Sequence, residues 1–243
     1  MFEPGDQQDI ERIRAYYDDV YYKDAGGGDG SVRSHYRRLS GRLRIGRDAR
    51  VLDVACGTGE WLRACVDRGA EVAGVDLSPK AIEVCKERLP KGTFHATPAE
   101  ELPFEDERFD LVSCLGSLEH FVDPQAALKE MQRVAKPGAK FLILVPNAGF
   151  LTRRLGLFGG TDQVQAKETV LELDAWEALF SESGLNVVDR WRDLHILSWR
   201  WLRNRKLYRQ PYLLLQGLLL AVWPLRWQYQ VYFLCEAQES RDT

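Results

Sequence analysis

The sequence predicts an α/β domain with a doubly wound, mostly parallel sheet, and three observations lead there. Short runs rich in Val, Ile, Leu and Phe recur through the middle of the chain without clean polar alternation, as strands covered on both faces require. Segments with helical periodicity and capping residues separate those runs. A glycine-bearing turn follows the first run, where such sheets bind nucleotides. Strand–helix alternation of this kind builds a parallel sheet.

Taken in order, Gln7–Leu43 reads as helices lying over the active edge of the sheet, broken at Gly26-Gly27-Gly28. The first strand is Arg50–Ala55 (RVLDVA); the helix Trp61–Arg68 follows the glycine turn and Gly69 closes it. Glu71–Asp76 is the second strand. The helix Ser78–Leu89 opens with Ser at a cap position and Pro79 in the first turn. Thr93–Thr97 and Phe109–Leu115 are the third and fourth strands. Asp123–Ala135 opens with Asp123-Pro124, carries Leu128, Met131, Val134 and Ala135 on one face, and is expected to stop at Pro137-Gly138. Lys140–Pro146 is the fifth strand, followed by an irregular stretch, Ala148–Lys167. Asp174-Ala-Trp-Glu177 reads as a capped helix start with Glu three residues after the cap, and that helix ends at Gly184. Strands Leu185–Leu194 and Gln228–Ala237 then complete a seven-stranded sheet whose last strand inserts antiparallel.

The 243 residues fit one domain with insertions better than two domains. Its expected parts are a helical cap (1–47), a ligand-binding core (48–147), two lid insertions (148–169 and 195–227) and the rest of the sheet (170–194 and 228–243). A hydrophobic fraction of 45% with 11% aromatics builds a full core, which excludes disorder as the main description. With 33 Lys+Arg against 36 Asp+Glu the net charge is −3, which argues against a general nucleic-acid binder. Met1–Asp9 is polar and acidic, so no signal peptide is expected. The apolar stretch Tyr212–Leu225 is 14 residues long, short of the roughly 20 that a membrane span needs. The expectation is a cytoplasmic protein, peripheral to a membrane at most. Five cysteines (Cys56, Cys65, Cys85, Cys114, Cys235), with no C-x-x-C pair, fit reduced core thiols.

The best chemical signal is Val51–Gly59, VLDVACGTG. Gly57 and Gly59 let backbone approach a ligand at the carboxyl end of the first strand. The second strand ends in Asp76, 23 residues beyond Asp53, placed to accept hydrogen bonds from both ribose hydroxyls of an adenosine. A dinucleotide fold would carry a third glycine where Leu62 stands, and a short-chain reductase would need Tyr-x-x-x-Lys, which no tyrosine here begins. The dehydrogenase reading is therefore disfavoured.

VLDVACGTG, GVDLSP (Gly74–Pro79), AEELPF (Ala99–Phe104), FDLVSC (Phe109–Cys114), SLEHFVDP (Ser117–Pro124) and RVAKPGAKFLILVPN (Arg133–Asn147) together resemble the successive motifs of class I S-adenosylmethionine-dependent methyltransferases. The style is that of the group containing the ubiquinone- and menaquinone-biosynthesis enzymes. The resemblance implies a Rossmann-like fold, S-adenosyl-L-methionine as cofactor and S-adenosyl-L-homocysteine as product. It places the methionine moiety against Asp53, Ala55, Cys56, Gly57 and Gly59, the ribose on Asp76 and the adenine on Leu77. The Ala99-Glu100 turn then lies near the adenine amine, and Leu115 contributes backbone at the end of the fourth strand. Relatives usually carry Asp just before the Ala-Glu pair; here it is Pro98, so a backbone or Glu100 contact must substitute.

Methyl transfer from a sulfonium is an in-line displacement, in which positioning and water exclusion supply most of the catalysis. An acceptor hydroxyl also benefits from a general base, and His suits that task near neutral pH. Of His35, His95, His120 and His195, His120 follows the carboxyl end of the fourth strand and is the best candidate, with Glu119 beside it as the second expected catalytic residue. The other reading of Glu119-His120 is a loop cap that orders the cofactor pocket. Some relatives hold a divalent cation with Glu-x-x-Glu-His, but here the earlier Glu position is Gly116, so no catalytic metal is expected.

Leu194–Cys235 holds six basic residues and no Asp or Glu, which leaves −9 on the remainder of the chain. Its aromatics are interleaved with the arginines: Trp199, Trp201, Tyr208, Tyr212, Trp223 and Trp227. Three readings of 199–227 stand side by side: a lid over the substrate, a face for a homodimer, or a contact with an anionic membrane surface. The sequence thus predicts methyl transfer to a small molecule, first to an oxygen of a metabolite, natural-product or sugar intermediate. Transfer to carbon or nitrogen is the runner-up, and an RNA or protein substrate a further alternative.

Overall fold

The computed structural model describes residues 4–22, 34–154, 156, 169–193 and 222–238. The seven strands are β1 (Arg50–Val54), β2 (Glu71–Asp76), β3 (Thr93–Ala96), β4 (Phe109–Leu115), β5 (Ala135–Pro146), β6 (Leu185–Arg192) and β7 (Gln230–Ala237). They form one sheet in the order β3-β2-β1-β4-β5-β7-β6. β1 pairs in parallel with β2 and β4, and β7 lies antiparallel between β5 and β6, as the sequence predicts. The chain reverses direction of travel across the sheet at β1, leaving a crevice beyond its carboxyl end.

Two hydrophobic layers cover the sheet. On one face, helices α3 (Glu60–Val66) and α4 (Pro79–Arg88) pack Trp61, Leu62, Ile82 and Cys85 with Leu39 from α2 (Ser34–Arg42). On the other, α5 (Pro124–Val134) and α7 (Leu173–Glu182) contribute Leu128, Met131, Trp176 and Phe180. Strands buried from both sides have no polar face to show, which is why their sequences lack alternation. Helix α4 starts where predicted: the Ser78 hydroxyl accepts from Ala81 N at 3.2 Å, with Pro79 next. Asp123 caps α5 in the same way, accepting from Ala126 N at 3.0 Å.

Several boundaries differ from expectation. α5 stops at Val134 and β5 begins at once, so Pro137-Gly138 lies inside a strand. The cause is long-range pairing: Ala135 pairs with Phe109, and a register shift between Phe109 and Leu111 accommodates the early start. The cap of α7 is Glu172, two residues before Asp174, because Ala175 and Trp176 N–H both reach the Glu172 carbonyl. β1 ends at Val54 rather than Ala55, β3 at Ala96, and β6 at Arg192, while β7 starts at Gln230.

At the N-terminus, α1 (Pro4–Tyr16) runs into a π-helical turn over Tyr17–Tyr21, a widening that no sequence signal announced. A short helix, α6 (Leu151–Arg154), follows β5. The glycine break at 26–28, His195 and most of the basic insert lie outside the described residues. Among the described residues no helix is long and apolar enough to cross a membrane. All five cysteines are free and buried.

Candidate active site

The loop after β1 is shaped by backbone conformations that side chains resist. Gly57 and Gly59 have φ of +53° and +76°. A Cβ on Gly57 would stand 2.9 Å from the Tyr22 hydroxyl, and one on Gly59 would meet Cys85 Sγ at 3.0 Å. Ala55 shares the left-handed region at φ +61°, which costs a non-glycine residue about 1–2 kcal/mol. The turn is held to β2 by Cys56 N donating to Val75 O at 2.8 Å, and closed by Gly59 N donating to Cys56 O at 3.0 Å. Cys85 Sγ also donates to Gly57 O at 3.1 Å, tying the loop to α4.

Asp76, at the end of β2, closes the same corner. One carboxylate oxygen accepts from Gly57 N at 2.8 Å and the other from Ser78 N at 2.9 Å. Burial lifts its pKa to about 6 against the pull of those N–H donors. Each oxygen keeps a second lone pair for a ligand hydroxyl. Asp53 lies deeper, 3% exposed, and accepts from Ser113 Oγ at 2.6 Å. Desolvation raises it further, to about 7, with the neighbouring Asp76 charge adding to the effect. Two carboxylates are thus held in a low-dielectric corner with no cation bonded to either among the described residues. Such a corner favours a cationic ligand.

A cleft of about 600 Å³, counting the space open to solvent, lies over this corner. Of the residues singled out in the sequence, Ala55, Asp76, Leu77, Ala99, Glu100 and His120 line it. Asp53, Cys56, Gly57, Gly59, Leu115 and Glu119 are not among the residues that line it. Cys56 packs back against Gly74, and Leu115 sits against the α3–α4 core layer. His120 is buried in a single 3-10 turn, Leu118–His120, and its ring meets Tyr17 edge-on at 6.5 Å between centroids. Glu119 is 4% exposed, and its carbonyl accepts from Thr169 N at 2.8 Å, so this turn is pinned from the far side.

Glu100 takes a role the sequence did not show. Its Oε1 accepts from Val122 N and Asp123 N, both at 3.1 Å, fastening the Ala99-Glu100 turn to the loop that carries His120. Burial raises its pKa, and the two backbone donors oppose that rise. The cleft also gains Ile10, Ile13, Tyr17 and Tyr22 from the N-terminal helices, with Ser117, Phe121 and Val122 from the β4–α5 loop. Sequence reasoning placed the N-terminal helices over this edge but could not name their contacts, since those depend on how α1 lands on the sheet. Asp18 shows the landing: it accepts from the Ser78 hydroxyl, while Lys80 Nζ reaches Asp18 O at 2.8 Å. Among the described residues no group of three His, Cys, Asp or Glu side chains converges as a metal site.

The comparisons with known proteins agree with this layout. Residues 52–143 match the family model described as a methyltransferase domain. The chain is 36% identical over 137 residues to a demethylmenaquinone methyltransferase of Renibacterium salmoninarum, covering 55% of this chain and 58% of that protein. It is 34% identical over 142 residues to a ubiquinone biosynthesis O-methyltransferase of Alkalilimnicola ehrlichii, covering 52% and 58%. The chain spans about half the length of the curated relatives it matches. Among solved structures, the fold is shared with the Burkholderia thailandensis 1,6-didemethyltoxoflavin-N1-methyltransferase, crystallised with S-adenosylhomocysteine. That match has a TM-score of 0.63 at 17% identity and covers 98% of this chain and 92% of that one. With the motifs in order, the sheet wound as they require and the family model matched across them, residues 52–143 carry the sequence and the fold of a methyltransferase domain.

Proposed function

We propose that this protein transfers the methyl group of S-adenosylmethionine to a small-molecule acceptor, with a hydroxyl oxygen as the first expected acceptor atom. The observation that carries the reading is one cleft shared by Asp76, Leu77, Ala99 and Glu100 on the cofactor side and His120 with Tyr17 and Phe121 beside it. Bound there, the cofactor supplies an electrophilic methyl group on a good leaving group. Asp76 accepts from the ribose hydroxyls, and Leu77 and Ala99 pack on the adenine. The buried Asp53–Asp76 corner favours the cationic cofactor over its uncharged-sulfur product. His120 takes the proton of the acceptor hydroxyl as the oxygen attacks, and Ile10, Ile13, Tyr17 and Phe121 exclude water.

The relatives named above act on quinone precursors by their names, which supports a phenolic or quinone-like acceptor. A nitrogen or activated-carbon acceptor, which needs little help from a base to release its proton, is the second reading; the structural neighbour is named for an N1 acceptor. The test is label transfer from methyl-labelled S-adenosylmethionine to panels of phenols, hydroxylated quinones and heterocyclic amines. His120→Ala should lower turnover on a hydroxyl acceptor about 10²–10⁴-fold and leave cofactor affinity nearly unchanged. Equal turnover by the variant removes the base role. A wild-type protein that binds no S-adenosylmethionine removes the whole reading.

A further inference from the structure

The Asp53 carboxylate is held by a chain of hydrogen bonds that begins outside the cleft. Trp61, on the first turn of α3, donates Nε1–H to Ser113 Oγ at 3.0 Å. Ser113, on β4, lies 2.6 Å from Asp53 Oδ1 and 3.1 Å from Leu52 O. A serine hydroxyl has one hydrogen to give. With an oxygen lone pair occupied by the indole N–H, that hydrogen goes to the nearer and charged acceptor, at the length of an O–H to carboxylate bond. All three side chains are buried. The chain leaves Asp53 Oδ2 with no donor among the described residues, and Oδ2 is not among the fully enclosed unpartnered atoms. One oxygen is fixed by Ser113, and the other carries no hydrogen bond among the described residues.

Resting on the methyltransferase reading of the cleft, we propose that Ser113 and Trp61 are positioning residues that aim the Asp53 carboxylate at the ammonium group of the cofactor's methionine and, by donating to it, favour the carboxylate over the carboxylic acid. The groups around Asp53 leave this task to them. Asp76 on β2 repels the charge. Cys56 in the loop, Cys65 on α3 and Cys114 on β4 are thiols with raised pKa, Cys56 through its hydrogen bond with Cys85 and then burial, Cys65 and Cys114 through burial and nearby carboxylates, so they stay neutral. No cation among the described residues is bonded to Asp53. Of the neighbours, the Ser113 hydrogen bond is the one that lowers its pKa, against desolvation. Trp61 acts one bond further out, by turning the hydroxyl toward the carboxylate rather than toward Leu52 O.

The experiment measures affinity for S-adenosylmethionine and for adenosine, which lacks the amino-acid end, between pH 5.5 and 9.5. Ser113→Ala removes a hydrogen bond to a charge, so the midpoint of the cofactor profile should rise by about one to two pH units; at pH 7 affinity then falls about five- to fifty-fold. Adenosine affinity should not change. Trp61→Phe keeps a ring in the core and removes the N–H; it should move the midpoint the same way by less, and it serves if Ser113→Ala fails to fold. Ser113→Thr, which keeps a hydroxyl, should restore the wild-type profile. An unshifted midpoint in Ser113→Ala and Trp61→Phe overturns the proposal, as does an equal, pH-independent loss for adenosine and cofactor. A wild-type protein that binds adenosine but no S-adenosylmethionine would instead overturn the methyltransferase reading beneath it.

Discussion

Replacing Asp53 by Asn should stabilise the ligand-free protein while removing the charge that a cationic cofactor needs. Burial raises the Asp53 pKa from its ordinary 3.8 to about 7. The folded protein therefore holds a proton on Asp53 that the unfolded chain releases near pH 4. That stabilising contribution is complete below pH 4 and is lost as pH rises through 7. A rise of about three pH units corresponds to about 4 kcal/mol of folding free energy forfeited at pH 8, and about 2 kcal/mol at pH 5, where the unfolded chain has already lost its proton. Asn is nearly isosteric, keeps an oxygen for the Ser113 hydroxyl and carries no charge. Asp53→Asn should accordingly melt higher than wild type at pH 8, by on the order of 10 °C for a domain of this size, with the advantage shrinking as pH falls. The assay is differential scanning calorimetry without ligand at pH 8, 6.5 and 5, with S-adenosylmethionine titrated into both proteins at pH 8. A variant that is destabilised equally at every pH refutes the argument, since the carboxylate would then be a structural acceptor at ease in its site. The expected pair of outcomes, a more stable protein with impaired cofactor binding, is the usual signature of strain kept for function.

Two further outcomes test the same corner. Asp76→Ala should weaken cofactor binding by about 1.5–3 kcal/mol for each charged hydrogen bond lost, and should loosen the glycine loop because Gly57 N and Ser78 N lose their acceptor; unchanged affinity by titration calorimetry would remove Asp76 from the site. Ala55→Gly relieves a left-handed residue at φ +61°, and after the added entropy of an unfolded glycine should stabilise by up to about 1 kcal/mol; a urea midpoint that stays put or falls would show that Ala55 is not strained.

What could be read from the sequence is what local chemistry and periodicity encode. Val51–Gly59 announces a strand, a left-handed turn and a helix, because only small residues tolerate those backbone angles, and the structure places positive φ at Gly57 and Gly59. The caps Ser78 and Asp123 could be read because their side chains bond within three residues of themselves. The antiparallel insertion of β7 followed from counting strands after the parallel series, and Asp76 from its distance beyond Asp53. The tertiary structure decided what depends on partners far along the chain. β5 begins at Ala135 rather than at Lys140 because Phe109 is there to pair with it. Glu100 fastens two loops because Val122 and Asp123 present their N–H groups 22 and 23 residues later. Asp53 looks in the sequence like any acid after a strand. It becomes a raised, half-satisfied carboxylate because Ser113, 60 residues away, and Trp61 on the next helix close over it, and because burial strips its water. Desolvation and long-range hydrogen bonds have no local signature, so the chain names its chemistry in its motifs and sets the strength of that chemistry only when it folds.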